Sequence, residues 1–173
     1  MAVDKIIVLF PISPMTKGRP VSWNIFGKLD PGAWTQLVEL DARGRLSLPS
    51  AVRSRLAWFD SIEGGLLATI DTGHVELSSW SDFGPRVLES VKERIGHVPL
   101  QSKGQLAVAA MDRYMRLSVE KPARIVLPLD LRHHLGCLEV SVARVVVLDG
   151  TLTLWSEANW CQDRAKRLTL LTG

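Results

Sequence analysis

The sequence predicts an α+β fold built from two similar halves. The first observation is a segment written twice: residues 38–56 return as residues 117–135. At a constant offset of 79, Arg45 meets Arg124, Leu48-Pro49 meets Leu127-Pro128, Arg53 meets Arg132 and Leu56 meets Leu135. The acid four residues before the first arginine also returns, as Asp41 and Glu120. The second observation is that both copies follow one pattern of strand, turn, strand and short helix. The third is that the likeness runs past the motif. Leu77 and Leu154 end equivalent strands, and Phe83 and Trp160 take equivalent helix positions, now 77 apart, so a two-residue deletion separates the copies. A self-match at fixed offset is a strong fold signal in a single sequence. The chain of 173 residues, 46% hydrophobic and 23% charged, is large enough to bury a substantial core. We divide it into an extension (residues 1–33), a first unit (34–98), and a second unit with a C-terminal helix (99–173).

The extension is rich in Pro and Gly (Pro11, Pro14, Gly18, Pro20, Gly27, Pro31, Gly32) and is expected to be loop-like, with a short strand over residues 6–10. In the first unit Val38 and Leu40 alternate with Glu39 and Asp41, which is strand periodicity. Ala42-Arg43-Gly44 is a turn, with Gly44 free to take positive φ. Leu46 and Leu48 alternate with Arg45 and Ser47 as a second strand. Pro49 stops that strand and opens a short helix, where its missing N–H costs little. On that helix Val52 and Leu56 share the core face, leaving Arg53 and Arg55 toward solvent. Residues 66–70 and 74–77 form two strands around Asp71-Thr72-Gly73. Ser79 and Asp82 form a capping box opening a helix through Val87, Val91 and Ile95. A connector containing Gly96, Pro99 and Gly104 leads to a helix over residues 106–114. The second unit repeats the plan, with a strand at Ser118-Val119, a turn at Lys121-Pro122-Ala123, a strand over 125–127 and a short helix over 129–135 closed by Gly136. Residues 140–148 and 151–155 form a hairpin about Asp149-Gly150, a dipeptide suited to a type I′ turn. A last helix spans residues 157–168.

The net charge is +3 with a pI near 9.1, but its placement says more. Between Asp41 and Leu56 stand Arg43, Arg45, Arg53 and Arg55 against one acid, whereas residues 82–94 balance three bases with three acids. A local basic cluster suits a phosphate-facing surface, beside the plainer reading of a solvated face. Cys137 and Cys161 have no CxxC spacing and no histidine at ligand distance; two buried thiols in a reducing cytoplasm are expected, with a disulfide as the alternative. The apolar run at residues 6–10 is far shorter than the about 20 residues a spanning helix needs, so the protein is expected to be soluble and cytoplasmic. Adjacent His133 and His134 diverge on a helix and do not share a metal; His74 and His97 are expected as isolated surface residues. Six tryptophans are expected as core and interface anchors. Lys17-Gly18-Arg19-Pro20 is similar to the Gly-Arg-Pro core of minor-groove arms, with an ordinary basic loop as the favoured reading. No phosphate-binding loop, nucleophile elbow, zinc-protease motif or dinucleotide fingerprint is present, so nothing proposes an enzyme or a cofactor.

The run Leu40-Asp41-x-x-Gly44-Arg45-Leu46-x-Leu48-Pro49-x-x-Val52-Arg53 resembles the AbrB-like swapped-hairpin domain of bacterial and archaeal regulators, the SpoVT-AbrB superfamily. Two copies in one chain, each followed by a hairpin and an aromatic-bearing helix, resemble the MraZ family, the tandem members of that superfamily. The resemblance covers about residues 34–168 and includes Leu154-Trp155-Ser156 and Trp160. The chain departs from the pattern in its extension, in Pro122-Ala123-Arg124 where Gly-Arg is expected, and in Glu120 for Asp. The resemblance implies two swapped-hairpin units closing into one pseudo-symmetric β-barrel with flanking helices. It implies a nucleoid-associated transcriptional regulator that binds double-stranded promoter or operator DNA as a homo-oligomer. Carried over by position, the DNA-contacting residues are Arg45, Arg53, Arg124 and Arg132; charge alone adds Arg43 and Arg55. An acid at each equivalent position also allows Arg45 or Arg124 to be tied up locally, which favours Arg53 and Arg132 as contacts. The intact first copy is expected to be the stronger half. An antitoxin-like partner protein, or a scaffold on the same fold without specific DNA recognition, is the alternative.

Overall fold

The structure, a computed structural model, describes residues 32–171. The expected strand at residues 6–10, the Lys17-Gly18-Arg19-Pro20 element and Trp23 lie outside the described residues. The first half opens with β1 (Ala33–Glu39) and β2 (Arg45–Ser47). Gly44 takes φ +75° in the turn between them, where a side chain would be strained. Pro49 then caps α1 (Ser50–Arg53), which is shorter than its expected span, although Val52 and Leu56 are both buried. β3 (Leu66–Asp71) and β4 (His74–Ser79) form a hairpin and lead into α2 (Trp80–His97). Ser79 is at the N-cap as expected, but no capping box forms: its hydroxyl bonds the Ser81 hydroxyl at 2.8 Å. The expected Gly/Pro connector is mostly helix. Gly96 lies inside α2, Pro99 caps α3 (Leu100–Arg113), and Gly104 lies within α3. A helical glycine costs only about 1 kcal/mol, which the surrounding helix formers offset.

The second half contains β5 (Tyr114–Leu117), an element beyond the expected plan, then β6 (Val119–Glu120), β7 (Arg124–Val126) and α4 (Leu129–His134). β8 (Val142–Leu148) and β9 (Thr151–Trp155) follow. They join through Asp149 (φ +48°) and Gly150 (φ +77°), the paired positive angles of a type I′ turn. α5 (Glu157–Thr169) is capped by Ser156, whose hydroxyl accepts the Asn159 N–H at 3.1 Å.

These strands make two antiparallel sheets, one of six strands in the order β1-β8-β9-β4-β3-β5 and one of three in the order β2-β7-β6. The α+β class therefore holds, while the described residues form open sheets rather than a closed barrel. The register shows how the repeat is used. β2 and β7, equivalent strands of the two copies, pair with each other: Leu46 opposes Ile125, Arg45 opposes Val126, and Ser47 opposes Arg124. That register is symmetric about Leu46–Ile125. β4 and β9 pair in the same way about Glu76–Thr153, with Val75 opposite Leu154 and Leu77 opposite Leu152. A pseudo-two-fold axis thus relates the halves at both sheets. The first strands are exchanged: β1 lies on β8 of the second half, and β5 lies on β3 of the first. Two reciprocal hydrogen bonds complete the exchange, Leu48 N–H to the Ala123 carbonyl and Leu127 N–H to the Gly44 carbonyl, both 3.0 Å.

The core follows the axis. Leu46, Ile125, Val52, Leu131, Leu152 and Leu154 are fully inaccessible and join residues of both halves in one cluster. Two expectations need correction. Cys161 is exposed on α5, outside the core, and only Cys137 is buried. His74 is not isolated: it stacks on Trp155 with centroids 4.5 Å apart and 14° between planes. Burial pushes the Cys137 thiol up to about 11, with nearby Arg132 opposing the shift. A thiol reagent at pH 8 is therefore expected to modify one cysteine per native chain and two in denaturant, counted by intact mass. Rapid labelling of both in the native protein would contradict the packing.

Candidate nucleic-acid interface

The site grows out of the β2·β7 ladder. Because Leu46 and Ile125 point inward, the strand period sends Arg45, Ser47, Arg124 and Val126 to the opposite face. Arg45 and Arg124 are diagonal neighbours there, a separation of about 7–8 Å in such ladders. The Ala42-Arg43-Gly44 turn sits at one end of this face, and Arg43 is exposed on it.

The turn is held by one carboxylate. Asp41 Oδ1 accepts the N–H groups of Arg43 (2.9 Å) and Arg45 (3.0 Å), while Oδ2 accepts Arg45 Nε at 2.6 Å. Arg45 NH1 crosses the pseudo-two-fold axis to Glu120 Oε2 at 3.2 Å. The N–H of Arg45, then its guanidinium and the N–H of Arg43, hold Asp41 below the usual carboxylate range against partial desolvation; Asp41 and Glu120 in turn raise Arg45. A carboxyl lowered by folding stabilises above its unfolded pKa, and that stability is lost as pH falls through the folded value. The thermal-stability gap between wild type and Asp41→Asn is therefore expected to stay constant from neutrality to about pH 5 and to close below about pH 4. Melts followed by circular dichroism across that range check it; a gap that widens in acid would refute it.

The short helices bring their arginines to the same turns. Arg132 lies over Gly44: a Cβ there would meet its Cδ and Nε at 2.8 Å. The first copy's Gly-Arg turn thus carries the second copy's helix arginine as a roof. On the other side, the bond from Leu48 to Ala123 sets the start of α1 beside the second turn. Arg53 and Arg132 are half-buried, and the Nε of each is sealed without a hydrogen-bond partner among the described residues. Arg124 is exposed and makes no ion pair or side-chain hydrogen bond among the described residues. Arg55 behaves differently from expectation. It is half-buried and folds back on α1 from just beyond its end, donating from NH1 to the Ala51 carbonyl at 3.3 Å.

The structure therefore gathers Arg43, Arg45 and Arg132 at one turn, places Arg124 across the ladder, and carries Arg53 on α1, whose start lies beside the second turn. Of the two adjacent histidines, His133 is exposed, whereas His134 Nε2 donates to the Asp71 carbonyl at 3.0 Å and joins the halves. The tryptophans brace the frame. Trp58 Nε1 donates to the Gly150 carbonyl at 3.0 Å, Trp80 lies under Arg116 at 4.7 Å, and Trp160 sits against Arg167 at 3.6 Å and Trp155 at 5.6 Å. Sequence reasoning missed Glu120's reach to the other copy. Pro122, which denies the second turn an N–H, was the available signal.

No family model matches the chain. Two curated relatives do. The chain is 26% identical over 130 residues to a protein named transcriptional regulator MraZ from Enterobacter sp. (strain 638), covering 73% of this chain and 80% of the relative. It is 27% identical over 140 residues to one of the same name from Marinomonas sp. (strain MWYL1), covering 76% and 84%. The chain is MraZ-like over about three quarters of its length.

Proposed function

We propose that the chain is a non-enzymatic, sequence-specific regulator of transcription that binds double-stranded DNA through the arginines of its repeated motif. The observation that carries this reading is the meeting of both copies at one surface, with Arg132 over the Gly44 turn and Arg45 and Arg124 on one face of the β2·β7 ladder. Two arginines of this kind per copy would be scattered charges in separate domains; the exchanged strands make them one patch. The same exchange supports the finer reading of two interleaved swapped-hairpin units, residues 34–98 and 99–173. Guanidinium groups bind phosphate bidentately or take guanine O6 and N7 in the major groove, and a β-ribbon with adjoining short helices is a surface that enters that groove. The names of the two relatives support a regulatory role. Exposed Leu88 on α2 and Val108 and Met111 on α3 support association of copies, which multiplies individually weak half-site contacts. We place the protein in the cytoplasm on the nucleoid. Among the described residues no helix is long and apolar enough to cross a membrane.

The test is binding to a duplex from the protein's own upstream region and to a scrambled duplex, by fluorescence anisotropy from 50 to 200 mM salt. Wild type is expected to prefer the upstream duplex, with affinity falling steeply as salt rises. Arg53→Ala/Arg132→Ala, folded by circular dichroism, is expected to lose at least about tenfold in affinity and roughly two units of the salt slope, one per phosphate contact removed. Wild-type binding by that double variant would exclude these arginines as contacts.

A further inference from the structure

The two motif arginines are equivalent in sequence but not in surroundings. Arg45 is held at Nε by Asp41 (2.6 Å) and at NH1 by Glu120 of the other copy (3.2 Å), and its side chain is 22% exposed. Arg124 faces Glu120 directly in the β6·β7 register, yet among the described residues it makes no ion pair. Symmetry would put Glu120 on Arg124 and Asp41 across the axis. Two sequence changes explain why this fails. At the first turn the N–H groups of Arg43 and Arg45 fix Asp41 in place. At the second turn the residue equivalent to Arg43 is Pro122, which has no N–H to give. Glu120 also carries one methylene more than Asp. Untethered at its own turn and longer, its carboxylate crosses to Arg45.

The consequence is electrostatic. Asp41 and Glu120 bring two negative charges to the single positive charge of Arg45, so its guanidinium draws a phosphate less than an unpaired one would, and the positive field at that turn comes from Arg43 and Arg132. Arg45 offers a rigid guanidinium, with NH2 unpartnered among the described residues, flanked by carboxylate acceptors. Donor and acceptor side by side suit base edges, where arginine takes guanine O6 and N7 and a carboxylate accepts from the cytosine amino group. Arg124, exposed and without an ion pair among the described residues, suits a phosphate.

Resting on the DNA-binding reading above, we propose that Glu120 divides the labour between the two motif arginines, fixing Arg45 as a base-facing donor and leaving Arg124 as the phosphate contact. The first copy then supplies specificity, and the second supplies non-specific affinity from the same position of the repeat. Neutralising Glu120 releases Arg45 to phosphates, so its loss strengthens binding while eroding selectivity. A purely structural strut gives neither signature.

The experiment measures wild type, Glu120→Gln and Arg124→Gln against the upstream and scrambled duplexes across a salt series, with thermal melts to verify folding. Arg124→Gln is expected to weaken both duplexes by the same factor and to lower the salt slope by about one. Glu120→Gln is expected to bind the scrambled duplex several-fold more tightly, steepen the slope, and narrow the preference for the upstream duplex. The proposal is overturned if Arg124→Gln leaves the slope unchanged or weakens the upstream duplex alone, or if Glu120→Gln keeps the wild-type preference. A wild type that binds neither duplex overturns the DNA-binding reading and this proposal together; a wild type that binds, with both variants matching it, overturns this proposal alone.

Discussion

Leu46→Ala is expected to cost about 2–5 kcal/mol of folding stability, among the largest effects of any single truncation in this chain. Leu46 is fully inaccessible, opposes Ile125 on the pseudo-two-fold axis, and bridges to Leu40. Its side chain therefore touches both halves, and a cavity there cannot be closed by moving one unit alone. Ile125→Ala, its symmetry mate, is expected to cost a similar amount. Because the two side chains meet, the double variant should cost less than the summed single losses. Leu37, 41% exposed on β1, is the control: Leu37→Ala is expected to shift stability little. Urea titration of the four variants measures all of this at once. Additive losses at Leu46 and Ile125, or a loss at Leu37 equal to theirs, would mean that the axis is not where the ladder places it.

What the sequence showed well was what the repeat repeats. The offset of 79 led to β2, β7 and both short helices, and Asp149-Gly150 to the second hairpin, because each carries a local signal: alternation, Pro after a strand, Asp-Gly at a turn. β5 carries a local signal, since Met115, Leu117 and Val119 alternate with Arg116 and Ser118; it was overshadowed by the apolar stretch before it, and its register on β3 replaces helix from Tyr114 onward. The start of β1 at Ala33 was missed because Trp34-Thr35-Gln36 gains its conformation from β8. Glycine misled in α3, where Gly104 has open space around it and breaks nothing.

At the site, composition and spacing nominated a cluster of arginines but could not supply its wiring. The motif identified an acid for each arginine, and the local choice was Glu120 with Arg124. The fold offers a second choice, because antiparallel pairing of the copies brings Glu120 within reach of Arg45. Only the register decides between them. Arg55 is less exposed than the periodicity suggests, for a simpler reason. Helical periodicity sends it outward, but α1 ends at Arg53 and the side chain turns back to the Ala51 carbonyl.

Gly65→Ala is the second large effect, and it tests the exchanged strand rather than the axis. Gly65 takes φ +97°, and a Cβ would lie 2.3 Å from the Leu117 carbonyl oxygen. The obstacle is backbone, with no flexible chain end to move aside. An L-residue in the left-handed region costs about 1–2 kcal/mol, and forcing atoms into a packed site typically costs about 1–3 kcal/mol more. Relief requires β5 to slide off β3, and the first pair it would lose is Leu66 with Leu117, both buried. The Gly65 carbonyl also accepts the Trp80 N–H at 3.1 Å, so the start of α2 would move with it. Gly104→Ala is the matched comparison. It lies inside α3 with nothing within 4 Å of a new Cβ, and alanine there is expected to gain roughly 0.5–1 kcal/mol. One Gly→Ala change should therefore lower the melting temperature by several degrees and the other raise it slightly. Hydrogen exchange should place the loss from Gly65→Ala at residues 114–117 before the rest of the sheet. If both substitutions behave alike, the close approach of β5 to the Gly65 backbone is not what joins the second half's first strand to the first half's hairpin.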